Sequence, residues 1–112
     1  MITLYGIPNC DTIKKARKWL NDNNLDYEFH DYKKLGVPEK ELTIWVKKLG
    51  WETILNKRGT TWRKLDDKTK NSVSEESAIK IMLDNPSIIK RPVLVKNNLL
   101  LVGFKEEEYS QL

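Results

Sequence analysis

Hydrophobic and polar positions change period several times along the chain, and each change marks an element. Ile2 and Leu4, with neighbouring Thr3 and Tyr5, form a short β-type run ending at the loop Gly6-Ile7-Pro8-Asn9. From about Cys10 to Asn21, Ile13, Ala16 and Leu20 share one helical face, while Lys14, Lys15, Arg17 and Lys18 lie mostly elsewhere. Leu25 to His30 alternates apolar with polar, the period of a half-buried strand. Pro38 suits a first helical position; Leu42, Trp45, Val46 and Leu49 follow i, i+3, i+4, i+7, and Gly50 is placed to end that helix. Short helical pieces are expected on either side of Gly59-Thr60-Thr61. Ser74 is a good N-cap for a helix carrying Ala78, Ile81 and Met82, stopped before Pro86. Val93–Val95 and Leu99–Val102, joined by Lys96-Asn97-Asn98, read as a hairpin, and a short helix over about 105–109 closes the chain.

The order is therefore βαβ, a helical middle, then ββα. An opening strand–helix–strand favours a parallel pair with the helix as crossover. This is the skeleton of an α/β thioredoxin-like fold, with residues 1–112 as one domain and a helical insertion over about 36–89. A chain of 112 residues has material for one core and little left for a second.

Composition changes this picture little. The chain is 39% hydrophobic and 32% charged, so a globular domain is expected. No apolar run approaches the roughly 20 residues that span a bilayer, and Met1–Tyr5 lacks a basic leader, so the expectation is a cytoplasmic protein with no membrane partner. The net charge of +4 invites a nucleic-acid reading, but the basic residues fall in short groups with acids between most of them. No nucleic-acid motif accompanies them, so no direct nucleic-acid partner is expected.

One cysteine and one histidine restrict the chemistry further. A single cysteine excludes an internal disulfide, a Cys-x-x-Cys motif and a cysteine-rich zinc site, and His30 alone leaves almost no material for a metal. Redox chemistry would have to borrow a second thiol. Cys10 lies where strand gives way to helix, facing free N–H groups and the positive end of the helix dipole, which favour thiolate over thiol. Lys14 and Lys15 act more weakly in the same direction, and Asp11 acts against it. Free cysteine is often simply buried core, but the polar flanks Pro8-Asn9 and Asp11-Thr12 favour an accessible nucleophile here. Arg91, at the entry to the third strand, could hold an oxyanion or carboxylate with its planar fork, or be an ordinary surface arginine.

The string Ile2 to Ala16, the segment Ile88-Ile89-Lys90-Arg91-Pro92-Val93-Leu94, the run Leu55 to Leu65 and the tail Leu101-Val102-Gly103-Phe104 resemble the glutaredoxin-dependent arsenate reductase family. That family includes Spx-type transcription regulators and small bacterial YffB-like proteins, and this chain is most similar to the latter branch. The resemblance implies the thioredoxin-like fold with a helical insertion. It places the nucleophile at Cys10 and the anion-binding arginine at Arg91, and it implies a cis Arg91–Pro92 bond beside the cysteine.

Departures from the family pattern bear on the substrate. Arsenate reductases of this type use three arginines; Arg91 matches one, while the others fall at or next to Asn56, with Arg58 two residues on, and near Phe104. Their assisting histidine is replaced around Gly6. The resemblance therefore implies a thiol oxidoreductase with no bound cofactor, using glutathione as co-substrate or a glutaredoxin-type thiol partner. Asn9, Asp11, Thr12, Arg58 and Pro92 are the expected substrate-binding residues; Trp62 could line a glutathione groove with Arg58, but core or interface packing is the preferred account of it. The competing readings are an Spx-like regulator that touches RNA polymerase and a weak arsenate reductase. Many Spx proteins carry Cys-x-x-Cys at this helix start; here the fourth position is Ile13.

Overall fold

The computed structural model describes residues 1–112. In chain order the elements are β1 (Ile2–Gly6), α1 (Asp11–Asp22), β2 (Tyr27–Asp31), α2 (Tyr32–Leu35), α3 (Glu39–Leu49), α4 (Trp51–Ile54), α5 (Thr60–Arg63), α6 (Asp67–Asn71) and α7 (Glu75–Asp84). A 3₁₀ turn (Pro86–Ile88), β3 (Val93–Lys96), β4 (Leu99–Val102) and α8 (Glu106–Tyr109) complete the chain. They group into two compact units, Met1–Leu35 with Arg91–Leu112, and Gly36–Lys90.

The first unit carries a four-stranded mixed sheet in the order β2-β1-β3-β4. β1 pairs in parallel with β2, Leu4 opposite Phe29 and Gly6 opposite Asp31. It pairs antiparallel with β3, Leu4 opposite Leu94 and Tyr5 opposite Val93. A parallel neighbour requires a crossover, and α1 supplies it. Ile2 and Leu4 meet Ala16 and Leu20 of α1, together with Leu94, Leu101 and Tyr109, in one buried cluster. Edge-on contacts of the Tyr109 ring with Trp19 (5.6 Å) and Phe104 (4.8 Å) tie α8 to α1 and to the end of β4. The β3–β4 hairpin turns on Asn97-Asn98, with Asn97 in the left-handed region at φ 54°, which a tight turn demands and asparagine tolerates. This is the α/β, thioredoxin-like arrangement that the βαβ and ββα halves predict.

In the second unit α3 packs on α7 and α4, burying Leu42, Trp45 and Val46. Gly50 ends α3 at φ 86°, as predicted, whereas Pro38 is the N-cap of α3 and not its first helical residue. The Ser74 side chain accepts from the Ser77 N–H, and the Ser77 hydroxyl closes the reciprocal bond to Ser74 N–H. Three details depart from the periodicity. Short helices α4 and α5 do flank Gly59, but Thr60 and Thr61 belong to α5, which Gly59 caps, and not to the break. The α6 turn escapes a hydrophobic-period reading because none of its residues is buried; it is held instead by the Asp66 cap, whose carboxylate accepts from Thr69 N–H at 2.7 Å. The chain over 86–88 adds a 3₁₀ turn. No helix is long and apolar enough to cross a membrane.

Leu94 is fully buried opposite Leu4, whereas Leu35 is 68% exposed. Leu94→Ala is expected to cost about 2–5 kcal/mol in urea unfolding, and Leu35→Ala to stay within about 0.5 kcal/mol.

Candidate active site

The β1–α1 loop delivers Cys10 to the end of the sheet. Cys10 is extended (φ −136°, ψ 131°) and is the N-cap of α1, not part of it; its carbonyl accepts the Lys14 N–H at 3.0 Å. Its side chain makes no capping hydrogen bond, and the residue is half-buried. The sulfur is therefore carried at the helix terminus, where first-turn N–H groups lack helical acceptors. Asn9 and Asp11 on either side are exposed, and Thr12 is half-buried.

Strand register brings Arg91 to the same end. Tyr5 faces Val93 in the last pair of the β1–β3 ladder, so Arg91 and Pro92, just before β3, lie at the end of the sheet where β1 finishes. Arg91 is half-buried, Pro92 is buried, and the Arg91–Pro92 bond is cis. The Pro92 carbonyl accepts Gly103 N–H at 2.8 Å, locking the entry of β3 to the exit of β4. A Cβ at Gly6 would overlap the Ile13 Cδ1 atom and stand 4.0 Å from Arg91 Cγ. The absence of a side chain at Gly6 thus lets Ile13, in the first turn of α1, close over the end of β1.

Sequence reading missed the aromatic layer beside this end. Tyr5 and His30 are register partners with ring centroids 5.1 Å apart, and His30 meets Tyr32 at 6.0 Å. Tyr32 is buried, and its hydroxyl has no hydrogen-bond partner. Burial holds the Tyr32 phenol well above its ordinary value, Tyr5 pushing in the same direction and the Arg91 charge opposing. The Arg91 guanidinium is therefore felt at Tyr32. The available clue was a tyrosine directly after a strand parallel to β1, since parallel strands finish at the same end.

Arg58 belongs to the second unit. It is exposed, and its N–H donates to Asn56 Oδ1 at 3.0 Å; Asn56 N–H in turn donates to the Ile88 carbonyl at 2.8 Å. Asn56 is thus occupied in shaping a turn. Trp62 is half-buried, and the Lys57 ammonium lies 5.5 Å from its ring centroid and 5.1 Å from that of Trp51. Phe104 is packed on Tyr109. No cluster of three or more potential metal ligands forms.

Comparisons with known proteins agree with this geometry. The model of the ArsC family matches residues 5–112. An uncharacterized protein of Haemophilus influenzae is 47% identical over 109 residues, covering 97% of this chain and 96% of that protein. The global transcriptional regulator Spx of Streptococcus mutans is 33% identical over 111 residues, covering 96% of this chain and 80% of Spx. The solved structure of the YFFB protein superposes with a TM-score of 0.96 at 49% identity, covering 99% of this chain and 97% of that one.

Tyr32 gives a pH-dependent test. Because its phenol is raised in the folded state, its contribution is fully present below the ordinary value of 10.0 and is lost as pH rises from there towards the raised value. Tyr32→Phe removes that loss. Its stability in urea is expected to fall less steeply above this pH than that of the wild type, with equal or slightly greater stability at neutral pH, where an unpaired buried hydroxyl is eliminated.

Proposed function

The chain belongs to the ArsC family as a thiol-based redox protein, and we propose that it is a glutathione-dependent thiol oxidoreductase working through Cys10. The observation that carries this reading is the placement of the sole cysteine at the N-cap of α1, at the sheet end where Arg91 and Pro92 enter β3. The Cys10 sulfur, as thiolate, attacks one sulfur of a glutathione-containing disulfide. The old S–S bond breaks, a Cys10–glutathione mixed disulfide forms, and the other sulfur leaves as thiolate. A second thiol, from glutathione or a glutaredoxin-type protein, then attacks the glutathione sulfur. Cys10 is released reduced, and the electrons of the incoming thiol are spent in the new disulfide.

Arg91 is the anchor in this reading, pairing its guanidinium fork with a glutathione carboxylate. Asn9, Asp11 and Thr12 offer polar contacts to the tripeptide beside the sulfur, and Pro92 shapes the adjoining wall. Arsenate suits the chain less well. The family's third arginine falls near Phe104, which packs against Tyr109 and has Lys105 beside it, and the second at or next to Asn56, which shapes a turn and has Arg58 two residues on. An oxyanion loses most of its charge-assisted contacts there. The likeness to Spx favours one further reading, a regulator that touches RNA polymerase. Stoichiometric binding to purified polymerase that survives Cys10→Ser, without thiol transfer, would establish it in place of the oxidoreductase.

Intact-mass analysis after exposure to glutathione disulfide tests the proposal. The wild type should gain one glutathionyl group, reversed by excess glutathione, and Cys10→Ser should gain none. Arg91→Ala should slow adduct formation about tenfold, corresponding to roughly 1.4 kcal/mol. An unmodified wild-type mass at saturating glutathione disulfide rules the reading out.

A further inference from the structure

The sheet end that carries Cys10 has an excess of unpaired cations. β1 and β2 are parallel and end together at Gly6 and Asp31, so α2, which begins at Tyr32, starts at the end from which the Cys10 loop leaves. Lys33 and Lys34 of α2 are exposed there, as is Lys14 in the first turn of α1, and Arg91 enters from β3. None of these lysines is held in an ion pair. Two carboxylates lie nearby, Asp11 exposed beside Cys10 and Asp31 buried and accepting the Lys33 N–H at 2.8 Å, and they offset only two of the four positive charges. Lys15 and Lys18 differ, sharing a surface hollow with Asp22 and Glu106, and Lys18 is paired with Asp22.

We propose that the rim formed by Lys14, Lys33, Lys34 and Arg91 is a docking surface for an acidic protein segment whose disulfide Cys10 opens. The inference rests on the redox reading above and names its protein substrate. Charge complementarity gives the sign of the partner, and the number of cations sets how many carboxylates it can use. From β3 across β1 to β2 is two strand spacings, about 10 Å. Glutathione can span a similar distance, but it brings only two carboxylates, one of them beside its own ammonium, to the four cations of the rim. An extended polypeptide covers about 10 Å in three residues. Its carboxylates can meet both ends of the rim while its disulfide faces Cys10. The Cys10 thiolate displaces one sulfur of that disulfide, forming a mixed disulfide with the segment and releasing the other sulfur as thiolate. A second thiol of the glutathione or glutaredoxin class then resolves the mixed disulfide, as in the mechanism above.

The test compares second-order rates of Cys10 adduct formation, by mass spectrometry, with three disulfides. Two are peptides of equal length, one with glutamates and one with lysines flanking the disulfide; the third is uncharged hydroxyethyl disulfide. At low salt the acidic peptide should react about tenfold or more faster than the basic one, within the range of electrostatic steering. The ratio should approach one at about 1 M salt, where screening shortens to about 3 Å. The Lys33→Glu/Lys34→Glu variant should lose the preference while keeping the wild-type rate with hydroxyethyl disulfide, and Lys33→Arg/Lys34→Arg should retain both. Adducts that form without charge preference, or a preference untouched by the charge reversal, overturn this inference alone. No adduct with any of the three, the uncharged one included, overturns the redox reading and the inference with it.

Discussion

Everything at the candidate site hangs on the two-sided pairing of β1. Its parallel ladder with β2 and antiparallel ladder with β3 fix which residues finish at the same end of the sheet: Gly6, Asp31 and the entry to Val93. That register is enforced by burial. Ile2 and Leu4 point into the cluster with Ala16, Leu20 and Leu94, and a slip of one residue would turn the strand's apolar set out of the core. With β1 locked, the four residues after it have only one direction to go before α1 begins. Cys10, Arg91 and Tyr32 come from three distant stretches of sequence, and this ladder system is what brings them to one end.

The same pairing explains what could be read from sequence and what could not. Elements with a buried face declared themselves by period: Ile13, Ala16 and Leu20 on α1, and Leu42, Trp45 and Val46 on α3. The Ser74 cap and the Gly50 stop were legible because their chemistry is local. The α6 turn was not, since it buries nothing and rests on one carboxylate cap. At the site, Cys10 and Arg91 were visible as residue types in suggestive places. The fit of Gly6 beneath Ile13 was invisible, because it depends on how two separate segments converge. Tyr32 was equally hidden, since its burial against His30 follows from β2 ending level with β1.

Family membership and local chemistry answer different questions here. The match over residues 5–112 and the superposition on YFFB establish the scaffold. A scaffold does not choose a substrate, and near the positions where the resemblance sets the second and third arginines of an oxyanion clamp this chain carries other residues. Phe104 joins the aromatic packing around Tyr109, tying α8 to the sheet, and Asn56 shapes a turn in the helical unit.

A single cysteine imposes a final constraint. A protein with two thiols can close its own disulfide and release its partner, so selectivity can be shared between attack and resolution. In the oxidoreductase reading proposed above, Cys10 alone means that each turnover passes through a covalent adduct that only an outside thiol can resolve. The surface around the sulfur must then admit two different molecules in succession, one bringing a disulfide and one removing it. Deep enclosure would obstruct the second step, which fits a half-buried Cys10 on a helix cap better than one sunk in a cavity. Selectivity in so open a site has to come from long-range forces and the few groups at its edge. The exposed lysines at the ends of β1 and β2, together with Arg91, supply such forces without closing the path to the sulfur.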